Sequence, residues 1–227
     1  MSGDTSDTFH RGGWKASLQD VGDRVVDKYL GIDTTGIVFH EDLEFTSAAG
    51  GFYQASNWVN LISLGRTFRK LRVTPRDSFI DFGCGKGQIL AMAARYPFTR
   101  VIGLDLSAKL LEVAQQNIDR IQAKARCGHL ELVNENALDY EIPDDITYAY
   151  FYMPFPTEVY EPVVSRLAES ARRSPRLIHI IYLLEADSDM AVPGRYGFHK
   201  VVQRRRMAVY SNGFDPRAKP STQVKGA

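Results

Sequence analysis

The sequence predicts an α/β fold: a parallel sheet with helices wound on both faces. Three observations predict it. Short apolar segments at Phe79–Phe82, Arg100–Leu106, His129–Val133, Ile146–Tyr152 and Leu177–Leu184 alternate with amphipathic stretches of helical period. The first segment runs into Asp81-Phe82-Gly83-Cys84-Gly85-Lys86-Gly87 and then directly into the apolar helical stretch Ile89–Ala94. The second ends in another acid, Asp105, 24 positions after Asp81.

Taken in order, residues 1–14 are polar and read as a disordered N-terminus. Lys15–Leu30 has helical spacing, with Leu18, Val21, Val25, Val26 and Tyr29 on one side. Gly31–Gly36 is loop chemistry, and residues 37–53 mix Phe39, His40, Glu41, Phe45, Phe52 and Tyr53 among glycines. Ser56 is placed to cap a helix over Trp58–Leu71, which leads into Thr74-Pro75-Arg76-Asp77. Segment 15–73 is therefore expected to be a helical extension and lid, 74–212 the cofactor-binding domain, and 213–227 a polar tail.

The glycine loop carries the chemistry. Glycine is needed where φ is positive or where a ligand approaches the backbone closely. The loop then opens a helix whose first N–H groups face a polar ligand group. A dinucleotide fingerprint, G-x-G-x-x-G, does not fit: counted from Gly83 its last position is Gln88, and counted from Gly85 it is Leu90. Lys86 does not make a P-loop, because the G-x-x-x-x-G-K-[ST] spacing is absent.

The spacing is D-x-G-x-G-x-G, and here the chain resembles the class I S-adenosylmethionine-dependent methyltransferases. The resemblance implies a Rossmann-like seven-stranded sheet of order 3-2-1-4-5-7-6 with strand 7 antiparallel. It implies S-adenosylmethionine as cofactor, S-adenosylhomocysteine as product, and a glycine loop formed by Asp81, Gly83, Cys84, Gly85 and Gly87. Asp105 would accept from both ribose hydroxyls, with Leu106 beside it. Asn136 and Ala137 stand where the family commonly has Asp-Ala, so the Asn136 oxygen would accept from the adenine amino group. Tyr152 closes the fourth strand at the cofactor. Plainer readings exist for each: Asp81 as a turn carboxylate capping glycine N–H groups, Asp105 as a solvated loop acid, Asn136 as a turn former. Cys84 reads as a small packing residue.

The loop Phe151–Pro156 bears on the substrate. It is similar to the Phe-Asn-Pro-Phe of a group of bacterial methyltransferase-like sequences, except that Met153 replaces the amide. Methionine has no useful acceptor for an amine, which favours an acceptor pocket with an apolar wall. Phe45, Phe52, Tyr53 and Trp58 would line it with Tyr152, Met153, Pro154 and Phe155. His40, Glu41, Glu44 and Tyr53 are the candidate bases, needed if the acceptor is a hydroxyl or a protonated amine. A looser similarity joins Tyr53, Asp81-Phe82-Gly83, Gly87-Gln88-Ile89-Leu90 and Glu158-Val159 to the layout of the non-SET histone lysine methyltransferases, whose N-terminal segment also covers the cofactor.

Composition restricts the remaining classes. Net charge is +1 and Gln203-Arg204-Arg205-Arg206 reads as a charged hairpin tip, so nucleic acid is not an expected partner. No apolar run reaches the ~20 residues of a membrane span, and the first residues lack a signal-peptide core. Cys84 and Cys127 do not make a disulfide framework, so the cytoplasm is the expected compartment, and no metal site is expected. The reading is a methyltransferase acting on O, N or C of a small molecule, such as a specialised metabolite. A protein or peptide (lysine-type) methyltransferase and a non-catalytic cofactor-binding partner subunit are the alternatives.

Overall fold

The structure, a computed structural model, describes residues 14–34, 37–39, 52–54, 58–152, 157–183, 190–204 and 206–213. Helix α1 (Trp14–Leu30), a two-stranded antiparallel ribbon β1 (Ile37–Phe39) and β2 (Phe52–Gln54), and α2 (Trp58–Leu71) precede the main sheet. Then follow β3 (Ser78–Phe82), α3 (Gln88–Ala93), β4 (Arg100–Asp105), α4 (Ala108–Ile121), β5 (His129–Asn134), β6 (Ile146–Tyr152), α5 (Thr157–Arg173), β7 (His179–Leu183), α6 (Val192–Arg195), β8 (His199–Arg204) and β9 (Met207–Ser211). The sheet order is β5-β4-β3-β6-β7-β9-β8. Counting only these seven strands in chain order, that is 3-2-1-4-5-7-6; β9 is antiparallel to both neighbours. This is the predicted topology.

Alternation along each strand sorts side chains to two faces. Phe79, Tyr148, Tyr150, Ile181 and Val209 pack under α2 and α3. Ile80, Phe82, Phe151, Tyr182 and Ala208 pack against Tyr160, Val163, Val164 and Leu167 of α5. On the first face, Phe68 of α2 meets Phe79 at 5.7 Å and Phe98 at 5.4 Å, ring centre to ring centre. The Tyr96 hydroxyl, just beyond α3, donates to the Gly65 carbonyl at 2.9 Å. Those contacts put the C-terminal half of α2 beside the end of α3 and the beginning of β3. The two helices therefore run the same way, and the first turn of α2 stands near the carboxyl ends of the strands.

Several expectations are corrected. Of the apolar residues on one side of α1, Val21, Val25 and Tyr29 are 56%, 60% and 66% exposed and Val26 packs partly buried against the core, while Asp27 and Leu30 are buried. Asp27 turns inward because it accepts from the Thr34 N–H at 2.7 Å and its hydroxyl at 2.8 Å, a polar anchor that period alone does not reveal. Tyr29 receives Arg95, whose guanidinium lies over the ring and donates to its hydroxyl at 2.7 Å. The fifth core strand starts at His179 rather than Leu177, and the hairpin absorbs Gln203 and Arg204 into β8. Helix α5 runs on to Arg173.

Candidate active site

The carboxyl ends of β3 and β4 are joined by the glycine loop. Gly83, Gly85 and Gly87 have φ of 79°, 53° and 80°, the left-handed region that L side chains rarely adopt. Gly83 and Cys84 both donate their N–H to the Leu104 carbonyl, at 2.8 and 3.0 Å, which folds the loop over the end of β4. At Gly103 a Cβ would stand 2.4 Å from Leu90 Cδ1 and 2.9 Å from the Cys84 sulfur, so a bare backbone at this point of β4 lets loop and α3 settle onto the sheet.

Asp105 locks the loop from the next strand. Its Oδ2 accepts from Gly85 N–H at 2.7 Å and its Oδ1 from Ser107 N–H at 2.9 Å. Ser107 caps α4 as expected, accepting from Leu110 N–H at 3.3 Å. Burial raises the Asp105 pKa, opposed by backbone N–H groups of Ser107, Gly85 and Leu106.

Asp81 is in phase with Phe79, pointing to the α2/α3 face, and it is 1% exposed. Neither carboxylate oxygen has a hydrogen-bond partner among the described residues. Burial, and secondarily the charge of Asp105, raises its pKa well above the usual carboxylate range. The turn-capping alternative for Asp81 is therefore not what the structure shows: Asp105 does the capping. Gln88, the first residue of α3 and 3% exposed, also has both amide atoms without a partner among the described residues. In the sequence Gln88 counted against a dinucleotide motif and within the Gly87–Leu90 similarity, but not as a site residue. Its signal was available, since a glutamine follows the last loop glycine and opens a helix that is otherwise apolar. Cys84 is buried, its thiol pKa raised by burial and by both acids, which suits packing rather than nucleophilic use.

The other predicted residues are placed unevenly. Leu106 follows Asp105 and is exposed, with Ala137 half-buried in the loop after β5. Arg166 of α5 pins that loop by donating to the carbonyls of Ala137 and, at 3.0 Å, Tyr140. The Asn136 side-chain oxygen accepts from Leu138 N–H at 2.9 Å, the turn-forming role, with one lone pair remaining. Tyr152 ends β6, half-buried against the α2/α3 core. Trp58 opens α2 with its ring against Gly22 of α1, where a Cβ would come within 2.4 Å of the indole. Phe52 and Tyr53 lie on β2, Tyr53 paired with Val38. His40, Glu41, Glu44, Phe45, Met153, Pro154 and Phe155 lie outside the described residues.

A family profile described as a methyltransferase domain matches residues 79–174. The ribosomal protein L11 methyltransferase of Burkholderia orbicola is 33% identical over 67 residues, 30% of this chain and 22% of that protein. The trans-aconitate 2-methyltransferase of Azoarcus is 33% identical over 76 residues, 30% of each chain. The matched stretch thus spans less than a third of either relative. In fold, the magnesium protoporphyrin IX methyltransferase of Synechocystis, solved with bound S-adenosylmethionine, superposes with a TM-score of 0.52 at 16% identity. That likeness covers 90% of this chain and 98% of the other. The sheet order, the glycine loop and the family match agree: residues 79–174 match a methyltransferase domain, and the chain has the fold of the class I S-adenosylmethionine-dependent methyltransferases.

Proposed function

We propose that the chain transfers the methyl group of S-adenosylmethionine in line to a nucleophilic O, N or C atom of a small molecule. The observation that carries the cofactor half is Asp81. A buried carboxylate with neither oxygen hydrogen-bonded is costly in the free protein. A cationic, hydrogen-bonding ligand group at that spot relieves the cost, and the ammonium of S-adenosylmethionine is such a group. Asp105 retains acceptor capacity beyond its backbone N–H contacts for a ribose hydroxyl, and Leu106 and Ala137 give the adenine apolar surface. The residues present fit the cofactor.

When bound, S-adenosylmethionine supplies an electrophilic methyl on a sulfonium. The glycine loop, Asp81 and Asp105 fix the donor. Orientation of the two reactants supplies up to ~7–11 kcal/mol of acceleration in favourable cases. Tyr152, Met153, Pro154 and Phe155 are assigned to the acceptor pocket with Phe52 and Trp58, and Tyr53, His40 and Glu41 to taking up the acceptor's proton. Trans-aconitate, in the name of one relative, is a small acceptor of the proposed kind.

Calorimetric titration with S-adenosylmethionine, S-adenosylhomocysteine and NAD tests the cofactor assignment. Micromolar binding of the first two and none of NAD supports it; no binding of either overturns it. An acceptor screen with labelled cofactor then separates the readings. Label in small molecules supports the proposal, whereas label in protein or peptide supports the second reading, which the L11 methyltransferase relative favours. Binding without turnover on any acceptor would make the chain a cofactor-binding partner subunit.

A further inference from the structure

The glycine loop is tied to the N-terminal segment by one side chain. Asn117, on α4 and 1% exposed, donates its amide N–H groups to the Lys86 carbonyl at 2.9 Å and the Asp33 carbonyl at 3.0 Å. Its Oδ1 accepts from Asp33 N–H at 2.8 Å and from Arg120 at 3.2 Å. Every hydrogen-bonding position of the amide NH2 is thereby used, and the oxygen accepts twice. Lys86 lies between Gly85, which is held by Asp105, and Gly87, whose N–H closes the turn onto the Cys84 carbonyl at 2.9 Å. Asp33 belongs to the turn that leaves α1: Gly31 and Ile32 donate to the Asp27 carbonyl, and Thr34, fully buried, donates backbone N–H and hydroxyl to the Asp27 carboxylate.

Three parts of the chain remote in sequence, residues 27–34, 86 and 117, therefore meet at one buried amide. Glycines leave the loop 83–87 with the most backbone freedom to lose on ordering, so an external hydrogen bond inside it limits which conformations it samples. We propose that Asn117 is a positioning residue for the cofactor: acting through the Lys86 carbonyl, it makes the binding-competent shape of the glycine loop depend on the N-terminal segment ending at Thr34. The extension before the methyltransferase domain thus tunes cofactor affinity without touching the cofactor. This rests on the cofactor assignment above.

The test is a double-mutant cycle in the full chain, with Asn117→Ala and Thr34→Val, read by the dissociation constant for S-adenosylmethionine well below each variant's melting temperature. Loss of hydrogen bonds worth about 1 kcal/mol each predicts about fivefold or weaker binding for Asn117→Ala. Thr34→Val, which removes only the hydroxyl anchoring residue 34 to Asp27, weakens binding measurably in the wild type and adds nothing to Asn117→Ala. Unchanged affinity in Asn117→Ala overturns the proposal, and so does an equal penalty for Thr34→Val in both backgrounds. A merely architectural asparagine would lower the melting temperature and leave both affinities alone. Amide exchange at Lys86–Gln88 is a second readout that needs no ligand and no folded Asn117 variant. Faster exchange there in Thr34→Val supports the coupling, and unaltered exchange overturns it. If the wild-type protein binds no S-adenosylmethionine, the exchange result still stands, and the cofactor assignment is what has failed.

Discussion

The two faces of the central sheet are packed from different chemistry. The face under α5 and α6 is almost wholly apolar and aromatic. Phe82 and Phe151 stack at 4.9 Å, and Tyr160 meets Phe151 edge-on at 5.0 Å and Tyr182 at 4.6 Å. The face under α2, α3 and α4 carries an equally dense aromatic base around Phe68, Phe79 and Phe98. Toward the carboxyl ends of the strands it changes to Asp81, Gln88, Asp105 and Asn117, all buried. One face holds the sheet together; the other gives up part of its apolar surface to polar groups that a ligand or a loop must satisfy. Substitutions on the first face should therefore act on stability alone, and on the second on binding and on pH dependence.

The largest effect is expected on the scaffold face. Phe151→Ala empties a fully buried ring site and should cost about 3–5 kcal/mol in denaturant unfolding, with S-adenosylmethionine affinity unchanged for the molecules that remain folded. A matching drop in affinity would erase the distinction between the faces. Next is Asp105→Ala, which should weaken S-adenosylmethionine binding by about 2–3 kcal/mol, because it removes the proposed ribose acceptor and frees Gly85 N–H. Unchanged affinity would remove Asp105 from the site.

Asp81→Asn sharpens the comparison through pH. With its folded pKa raised, Asp81 binds its proton more tightly in the folded than in the unfolded chain. Its contribution to the stability of the ligand-free protein therefore declines as pH rises above the ordinary carboxylate value. The Asn variant should lose that decline and be more stable than wild type at pH 8, yet bind S-adenosylmethionine more weakly. Thermal melts across pH, with and without ligand, check both signs.

The smallest effect concerns His179, at the other end of the α2/α3 face and packed on Tyr148 at 5.0 Å. Burial lowers its pKa from 6.5 to about 4. Its unfolded form takes up the proton first, so stability should fall as pH drops from about 6.5 toward 4. His179→Gln should flatten that slope in melts and leave cofactor affinity alone, since the residue lies far from the glycine loop.

Much of the fold was legible because parallel strands buried on both faces read as short continuous apolar runs, and because the loop between β3 and α3 needs glycine where φ is positive. The Asp81 and Asp105 spacing pointed to the candidate site, but their division of labour was not legible. Either acid could cap the loop, and only the placement of Gly85 N–H beside β4 assigned that task to Asp105. The buried face of α1 was not legible because Asp27 turns inward to Thr34, a polar contact that hydrophobic period cannot register. Gln88 was passed over because an isolated glutamine opening an apolar helix looks like a solvent-facing residue until burial is known.

The sequence by itself determined the α/β architecture, the sheet order through its resemblance to a known family, and the glycine loop with its two acids. These rest on local period, on backbone conformations few residues tolerate, and on fixed spacing. Only the tertiary structure decided which acid is bonded and which is left open, and that Asn117 joins residue 33 to residue 86. Such pairings link positions far apart in the chain, and their energies depend on burial and direction, which no linear pattern carries.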